Sequence, residues 1–178
     1  MQQPEAVSAH EIAPIIVSAT NEVFSTMLNL SVEAGESLVD RSTPPSFDGV
    51  IALVGVAGTW HGSGRISMSS MFACRLAGGL LMTEYTSVDE DVLDAVAEVA
   101  NMIIGNVKAA LEERLGSLGL SVPTVIFGRN YQARSIGVTE WVVVSFHCEQ
   151  ETMEVRFCLM PATVGVHARP EMVHAGLP

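Results

Sequence analysis

Three polar residues at helical spacing are the strongest candidates for chemistry in this sequence. Asp94 is followed by Glu98 four residues later and by Asn101 three residues after that. At about 100° per residue, this spacing places all three on one stripe of a helix. A carboxamide oxygen accepts a hydrogen bond from water while its NH₂ group donates to another oxygen, so Asn101 carries the groups needed to orient a water molecule. The polar stripe continues through Gly105, Lys108 and Glu112.

Two members of the polar stripe are poor choices for an ordinary solvent-facing helix. Asn101 has an amide that competes for backbone hydrogen bonds, and Gly105 costs about 1 kcal/mol relative to alanine. Residues that break local rules often mark function. Gly105 is expected to leave a shallow dent one turn beyond Asn101, where the backbone of another protein can approach closely. The alternative is a solvated face with charge pairs at i,i+4 spacing.

The other motifs favour structural roles. The glycine-rich segment 58–64 lacks the lysine of a phosphate-binding loop and joins two strands, which is typical of a hairpin turn. Ser63 and His61 lie in no nucleophile-elbow pattern. Cys74, Cys148 and Cys158 are widely spaced and form no CxxC pair, which predicts three buried, reduced thiols. Because no residue cluster has the spacing of metal ligands, we expect no bound metal.

Composition limits the class of partner. The chain has 178 residues, 48% of them hydrophobic, and a formal net charge of −11 with Lys108 as the only lysine. Such an acidic chain is a poor binder of nucleic acid or of an acidic membrane surface. It contains no apolar run long enough to span a membrane and no signal-peptide pattern. We therefore expect a cytoplasmic protein whose partner is a protein or a small molecule.

The elements of the first half alternate between helix and strand. Residues 1–10 are expected to form a loose leader, and residues 11–32 a helix with Pro14 in its first turn. A proline-containing loop at 41–46 follows. The apolar run 49–58 and the segment 65–69 predict a hairpin with a widened loop, and 70–82 predicts a closely packed helix.

The strongest helix in the sequence covers residues 88–115 and carries the polar stripe. Acidic residues crowd its first turn, and Gly116 is a plausible stop. Ten apolar residues form its expected core face: Val92, Leu93, Val96, Val99, Ala100, Ile103, Ile104, Val107, Ala110 and Leu111. Strand-like runs follow at 120–127, 135–148 and 153–159, with a polar turn at 149–152, and residues 161–178 are expected to be an irregular tail.

A faint internal repeat links the two halves. Ser18, Glu22 and Ser25 have the spacing of Asp94, Glu98 and Asn101, and each candidate helix is followed by an apolar hairpin. Chance and duplication explain this match equally well.

The segment from Asp94 to Asn106 resembles the active segment of the CheX/CheC family of chemotaxis phosphatases. The similar features are an Asp or Ser, a Glu four residues later, an Asn three further on, and a proline some twenty residues beyond, here Pro123. The resemblance covers roughly residues 12–160. It implies an α+β fold of duplicated helix–hairpin units, with long helices packed on an antiparallel sheet. A single CheX-like phosphatase domain over 11–160 follows, and Ser25 in place of a second Asn implies one active site.

The resemblance also implies a reaction and a partner. The substrate would be the aspartyl-phosphate of a phosphorylated response-regulator receiver domain, which supplies its own Mg²⁺, so the chain needs no cofactor. Asn101 would position the attacking water, and Glu98 would pair with a lysine near the phosphorylation site of the receiver. Asp94, Gly105 and Lys108 are expected to contact the partner, although Asp94 is equally compatible with a solvated role.

Two other functions remain open at this point. A non-catalytic adaptor could bind a receiver or a flagellar-switch component through the same helix, and a small-molecule sensor could use a pocket between sheet and helices. A homodimer is also expected. The run 138–148 has few charges and would invite pairing if it lay at a sheet edge, and the CheX branch of the family is dimeric by strand exchange. The expected interface is residues 135–160.

Overall fold

The computed structural model describes residues 7–42, 46–132 and 140–162. Three helices and a π-helical turn pack on one face of a seven-stranded antiparallel sheet. The elements in chain order are α1 (Ala9–Val23), the π-helical turn (Phe24–Leu28), β1 (Glu33–Asp40), β2 (Phe47–Gly58), β3 (Trp60–Met68), α2 (Ser70–Leu81), α3 (Glu90–Leu115), β4 (Leu118–Leu120), β5 (Thr124–Tyr131), β6 (Trp141–Cys148) and β7 (Glu151–Pro161). The α+β class expected from the sequence is confirmed.

The sheet is built from two similar halves that exchange strands. Its order is β1-β6-β7-β3-β2-β4, with β5 also paired to β2. The two hairpins, β2–β3 and β6–β7, meet at the β3–β7 pairing in the centre. The strand after α1 pairs with the second hairpin, while the strand after α3 pairs with the first. This reciprocal arrangement agrees with duplicated helix–hairpin units and ties them into one sheet.

Helix α1 begins earlier and ends differently from the prediction. Ser8 and Glu11 form a capping box, in which the Ser8 backbone N–H and hydroxyl donate to the Glu11 carboxylate at 2.9 and 2.8 Å. The helix therefore starts at Ala9, inside the expected leader, and Pro14 lies beyond the first turn rather than within it. The last helical residues, predicted as regular helix to residue 32, form the π-helical turn and end at Asn29 in a left-handed conformation.

The predicted glycine-rich loop of the first hairpin is displaced: residues 57–61 separate the last β2–β3 pair, and pairing already holds at Gly62 instead of beginning at residue 65. Strand β3 begins at Trp60, directly after Thr59, so Gly62 and Gly64 lie inside the strand. Both glycines are needed for close approach. A Cβ at Gly62 would lie 2.0 Å from the Cys158 carbonyl oxygen, and one at Gly64 would lie 2.3 Å from Cδ1 of Ile104 on α3. Gly64 therefore lets α3 settle directly onto the sheet.

Strand β6 lies inside the sheet, which overturns the edge argument for the homodimer. It pairs with β1 on one side and β7 on the other. The strand at that edge is β1, which was not predicted because seven of its eight residues are exposed and give no alternating pattern. The expected strand at 120–127 is divided into β4 and β5, and most of the expected tail, from residue 163 onward, lies outside the described residues.

The core lies between the sheet and the helices. Cys74, Cys148 and Cys158 are buried and unpaired, as predicted. None of the helices within the described ranges has the length and apolar character required to cross a membrane.

Candidate active site

Helix α3 positions the candidate site, and local chemistry fixes both of its ends. The Asp89 carboxylate accepts from the Val92 backbone N–H at 3.0 Å, while Glu90 and Asp91 place further negative charge in the first turn. The helix ends at Gly116, whose φ of 80° is rarely adopted by other residues. A helix of 26 residues, capped at both ends, carries the polar stripe.

The buried face of α3 agrees with the predicted core face except at its margins. Eight of the ten expected residues are buried, but Leu93 is only half-buried and Ala110 is exposed. Ala95, which was not assigned to the core, is 3% exposed. Helix α3 packs against α1 and α2 as well as against the sheet, so its buried face is not set by the sheet alone.

The polar stripe is accessible along its length but not uniformly. Asp94 and Glu98 are exposed, as predicted, whereas Asn101 and Gly105 are half-buried rather than exposed. Within the described residues, the side chains of Asp94, Glu98 and Asn101 form no hydrogen bond or ion pair. A carboxylate and a carboxamide one turn apart are thus available to a ligand that approaches α3 from outside.

The two C-terminal residues of the polar stripe are occupied within the chain. The Lys108 ammonium contacts the Glu112 carboxylate at 2.8 Å, and this carboxylate also accepts from the Leu118 backbone N–H at 2.9 Å. The Lys108 hydrogen bond and then the Leu118 bond lower the pKa of Glu112. The Lys108–Glu112 pair is the kind of i,i+4 charge pair expected on an ordinary solvated helix face. Through its bond to Leu118, Glu112 also holds the end of α3 to β4.

Gly105 is not required by packing inside the chain. A Cβ at this position would lie 3.8 Å from Cδ1 of Leu120, an ordinary van der Waals contact. Because alanine would fit, the glycine provides shallow space beside Asn101 that no other part of the described chain demands.

The connection between β4 and β5 borders the polar stripe on one side. Ser121 holds it to β2, since its hydroxyl oxygen accepts from the Gly55 N–H at 2.8 Å and its own N–H donates to the Gly55 carbonyl at 2.9 Å. Pro123, the distant proline of the sequence motif, follows in this connection and is half-buried. Its neighbour Val122 is 86% exposed and was not recognised from the sequence.

The equivalent stripe in the first half has a different geometry. Ser18 and Glu22 lie on α1, but Ser25 falls in the π-helical turn, where the residue spacing departs from that of an α-helix. The Ser25 hydroxyl donates to the Glu22 backbone carbonyl at 3.2 Å. The Asn106 amide donates to the Glu22 carboxylate at 3.4 Å, so Glu22 serves contact between α1 and α3.

A groove of about 580 Å³ lies between α1 and β1, lined mainly by apolar residues, with His10, Ser18 and Ser37 as its polar members. It is separated from the polar stripe by α1. Among the described residues, no three His, Cys, Asp or Glu side chains lie close enough together to hold a metal ion.

Comparison with known proteins points to one family. Residues 50–147 match the family described as chemotaxis phosphatase CheX. The chain is 26% identical over 142 residues to the CheY-P phosphatase CheX of Thermotoga maritima, covering 79% of this chain and 90% of the relative.

Solved structures give the same result. The crystal structure of the chemotaxis protein CheX from Desulfovibrio desulfuricans is similar, with a TM-score of 0.75, 29% identity and coverage of 84% of this chain and 99% of that one. The CheX chain in the CheX–CheY–BeF₃–Mg²⁺ complex from Borrelia burgdorferi has a TM-score of 0.72 and 26% identity, with coverage of 83% and 97%.

Proposed function

This chain belongs to the CheX family of chemotaxis phosphatases, and on that premise we propose that it hydrolyses the aspartyl-phosphate of a phosphorylated, CheY-like receiver domain. The observation that carries the proposal is the pairing of Glu98 and Asn101 one turn apart on the accessible face of α3, with no internal partner among the described residues. Both belong to the motif that resembles the family. The relative of known activity is named as a phosphatase of phosphorylated CheY.

The proposed reaction needs little from this chain beyond position. A water molecule attacks phosphorus in line with the bond to the aspartyl oxygen. The new O–P bond forms as that bond breaks, the receiver recovers its aspartate, inorganic phosphate leaves, and the proton of the water passes to solvent or phosphate. The Asn101 carbonyl oxygen accepts from the attacking water and its NH₂ group donates to an adjacent oxygen, which fixes the angle of attack.

Glu98 serves docking in this proposal. Its exposed carboxylate pairs with a cationic side chain beside the phosphorylation site and sets the depth at which Asn101 enters. Mg²⁺ belongs to the receiver, in agreement with the CheX–CheY complex that contains Mg²⁺ and BeF₃. Asp94 and Gly105 lie on the contact surface, while Lys108 acts mainly through its pair with Glu112.

Phosphate release tests the proposal. A CheY receiver that carries a labelled phosphoryl group on its aspartate is mixed with a substoichiometric amount of the wild-type protein, and the concentration of released inorganic phosphate is followed over time. Turnover above the spontaneous rate is expected. Binding of the receiver activated with BeF₃ and Mg²⁺, without any phosphate release, would instead identify an adaptor.

We also propose a homodimer of this single domain in the cytoplasm, now through β1 instead of β6. The outer edge of β1 has no partner strand in the described chain, and Leu38 and Val39 are 49% and 44% exposed. Antiparallel pairing of two β1 strands about a two-fold axis at Leu38 would place the two Leu38 side chains directly opposite each other on one face of the joined sheet.

A further inference from the structure

An apolar surface runs beside the polar stripe. Val122, in the β4–β5 connection, is 86% exposed, and Phe127, on β5, is 49% exposed. Phe127 pairs with Val50, and Val125 pairs with Ala52, whose side chains lie in the core beneath the helices. Directly paired residues point to the same face of a sheet, so Phe127 lies on the side that carries α3.

Two contacts fix the level of this surface along α3. The Thr59 hydroxyl donates to the Leu115 carbonyl at 2.6 Å, so the end of β2 lies at the end of the helix. Gly64, which pairs with Val54, contacts Ile104. The helix and β2 therefore run in the same direction. One strand residue spans about 3.3 Å and one helix residue about 1.5 Å, so each step along β2 corresponds to about two residues of α3.

The same spacing places the two apolar residues beside the proposed catalytic groups. Val122 lies between Ser121, which is bonded to Gly55, and Thr124, which pairs with Leu53. Its level on the helix is therefore that of Gly105, one turn beyond Asn101. Phe127, at the level of Val50, lies near Asp94.

We infer that Val122 and Phe127 form an apolar ridge that docks the phosphorylated receiver domain against the polar stripe. The inference rests on the proposed function. The two residues lie level with Gly105 and Asp94, the two ends of the stripe segment that holds Glu98 and Asn101, so a partner seated on this segment reaches both of them. Apolar contacts at the margin of a polar site exclude bulk water, which leaves the water held by Asn101 in place. The double hydrogen bond of Ser121 to β2 holds the ridge rigidly, so docking orders no loose segment.

The test compares Val122→Ser with a matched control, Met71→Ser. Met71 is 69% exposed on α2, one helical turn before Arg75, which pairs with Glu149 at the β6–β7 turn; β3 and β2 lie between that hairpin and β5. Steady-state phosphate release and binding of the CheY receiver activated with BeF₃ and Mg²⁺ are measured for both. Val122→Ser should raise KM and Kd about five- to tenfold, because the serine variant loses most of the apolar area that valine buries when the receiver docks. The value of kcat should change little. Met71→Ser should have the KM and Kd of the wild type. Val122→Ile, which keeps an apolar side chain, should also keep the wild-type Kd.

The outcomes separate the inference from the proposed function. Equal KM and Kd for wild type and Val122→Ser, with an active wild type, would overturn the ridge and leave the phosphatase in place. An inactive wild type that does not bind the activated receiver would overturn the proposed function itself. An equal loss in Val122→Ser and Met71→Ser would show a general effect on the fold and would also contradict a local ridge.

Discussion

Asn101 occupies a position where its side chain contributes little to folding. It is half-buried at the margin of the core, yet it makes no hydrogen bond to another described residue. Asparagine is also a weak helix former. The residue type is therefore explained better by a ligand than by the stability of α3.

We predict that Asn101→Ala separates activity from stability. The melting temperature should stay the same or rise slightly, because alanine favours helix, while kcat for phosphate release should fall on the order of 10²-fold. Asn106→Ala is the matched control, since Asn106 lies on the same helix and donates to Glu22. A variant that folds, binds and releases phosphate at the wild-type rate would remove Asn101 from the mechanism.

Gly105→Ala tests whether the space beside Asn101 is used by the partner. The free energy of unfolding should increase by up to about 1 kcal/mol, because the Cβ fits beside Leu120 and alanine favours helix. Binding of the activated receiver should weaken at the same time. Chemical denaturation and a binding titration measure the two effects. Unchanged affinity in a stabilised variant would mean that no partner group enters this space.

At the scale of elements, the site depends on how closely α3 lies on the sheet. Gly64 and Ile104 form the contact that sets this distance. The Glu112 bond to β4 and the Thr59 bond to the Leu115 carbonyl then fix its position along the sheet. The polar stripe is consequently held by three independent contacts, none of which involves the proposed catalytic groups.

Gly64→Ala should destabilise the protein by about 1–3 kcal/mol, because the added Cβ would overlap the fully buried Ile104 side chain. Urea denaturation measures the loss. In the double variant with Ile104→Val, part of the stability should return, since the overlapping Cδ1 is removed. An additive loss in the double variant would show that the two residues do not share a contact.

At the scale of the whole molecule, exchange of strands between the two halves joins the two helix–hairpin units in one seven-stranded sheet. The pairing of β1 with β6 and of β5 with β2 means that neither helix–hairpin unit has a complete sheet alone. The exchange leaves β1 at one edge and β4 and β5 at the other. The proposed dimer and the proposed receiver interface therefore occupy opposite edges and do not compete.

Light scattering at high micromolar concentration tests the dimer. The wild type should have twice the chain mass of 18.9 kDa. Leu38→Lys should reduce this to a monomer, because it places two like charges at the centre of the β1 pair, and should leave phosphate release by each chain unchanged. A wild-type mass equal to one chain would exclude this assembly.

Much of the candidate site was predictable from the sequence. Helical spacing is a local property, so Asp94, Glu98 and Asn101 fall on one stripe wherever the helix lies, and caps at Asp89 and Gly116 define its ends. The core face of α3, the second hairpin and the buried cysteines follow from apolar patterning for the same reason.

The sequence by itself determined the helix, its polar stripe and the family, because these depend on the order and spacing of neighbouring residues. Tertiary structure decided what lies beside the stripe. The placement of Gly62 and Gly64 inside a strand, the internal position of β6 and the exposed edge strand β1 all depend on pairings between residues far apart in the chain. Val122 is one more apolar residue in the sequence, and only the β4–β5 connection, held to β2, brings it to the level of Gly105, one turn beyond Asn101.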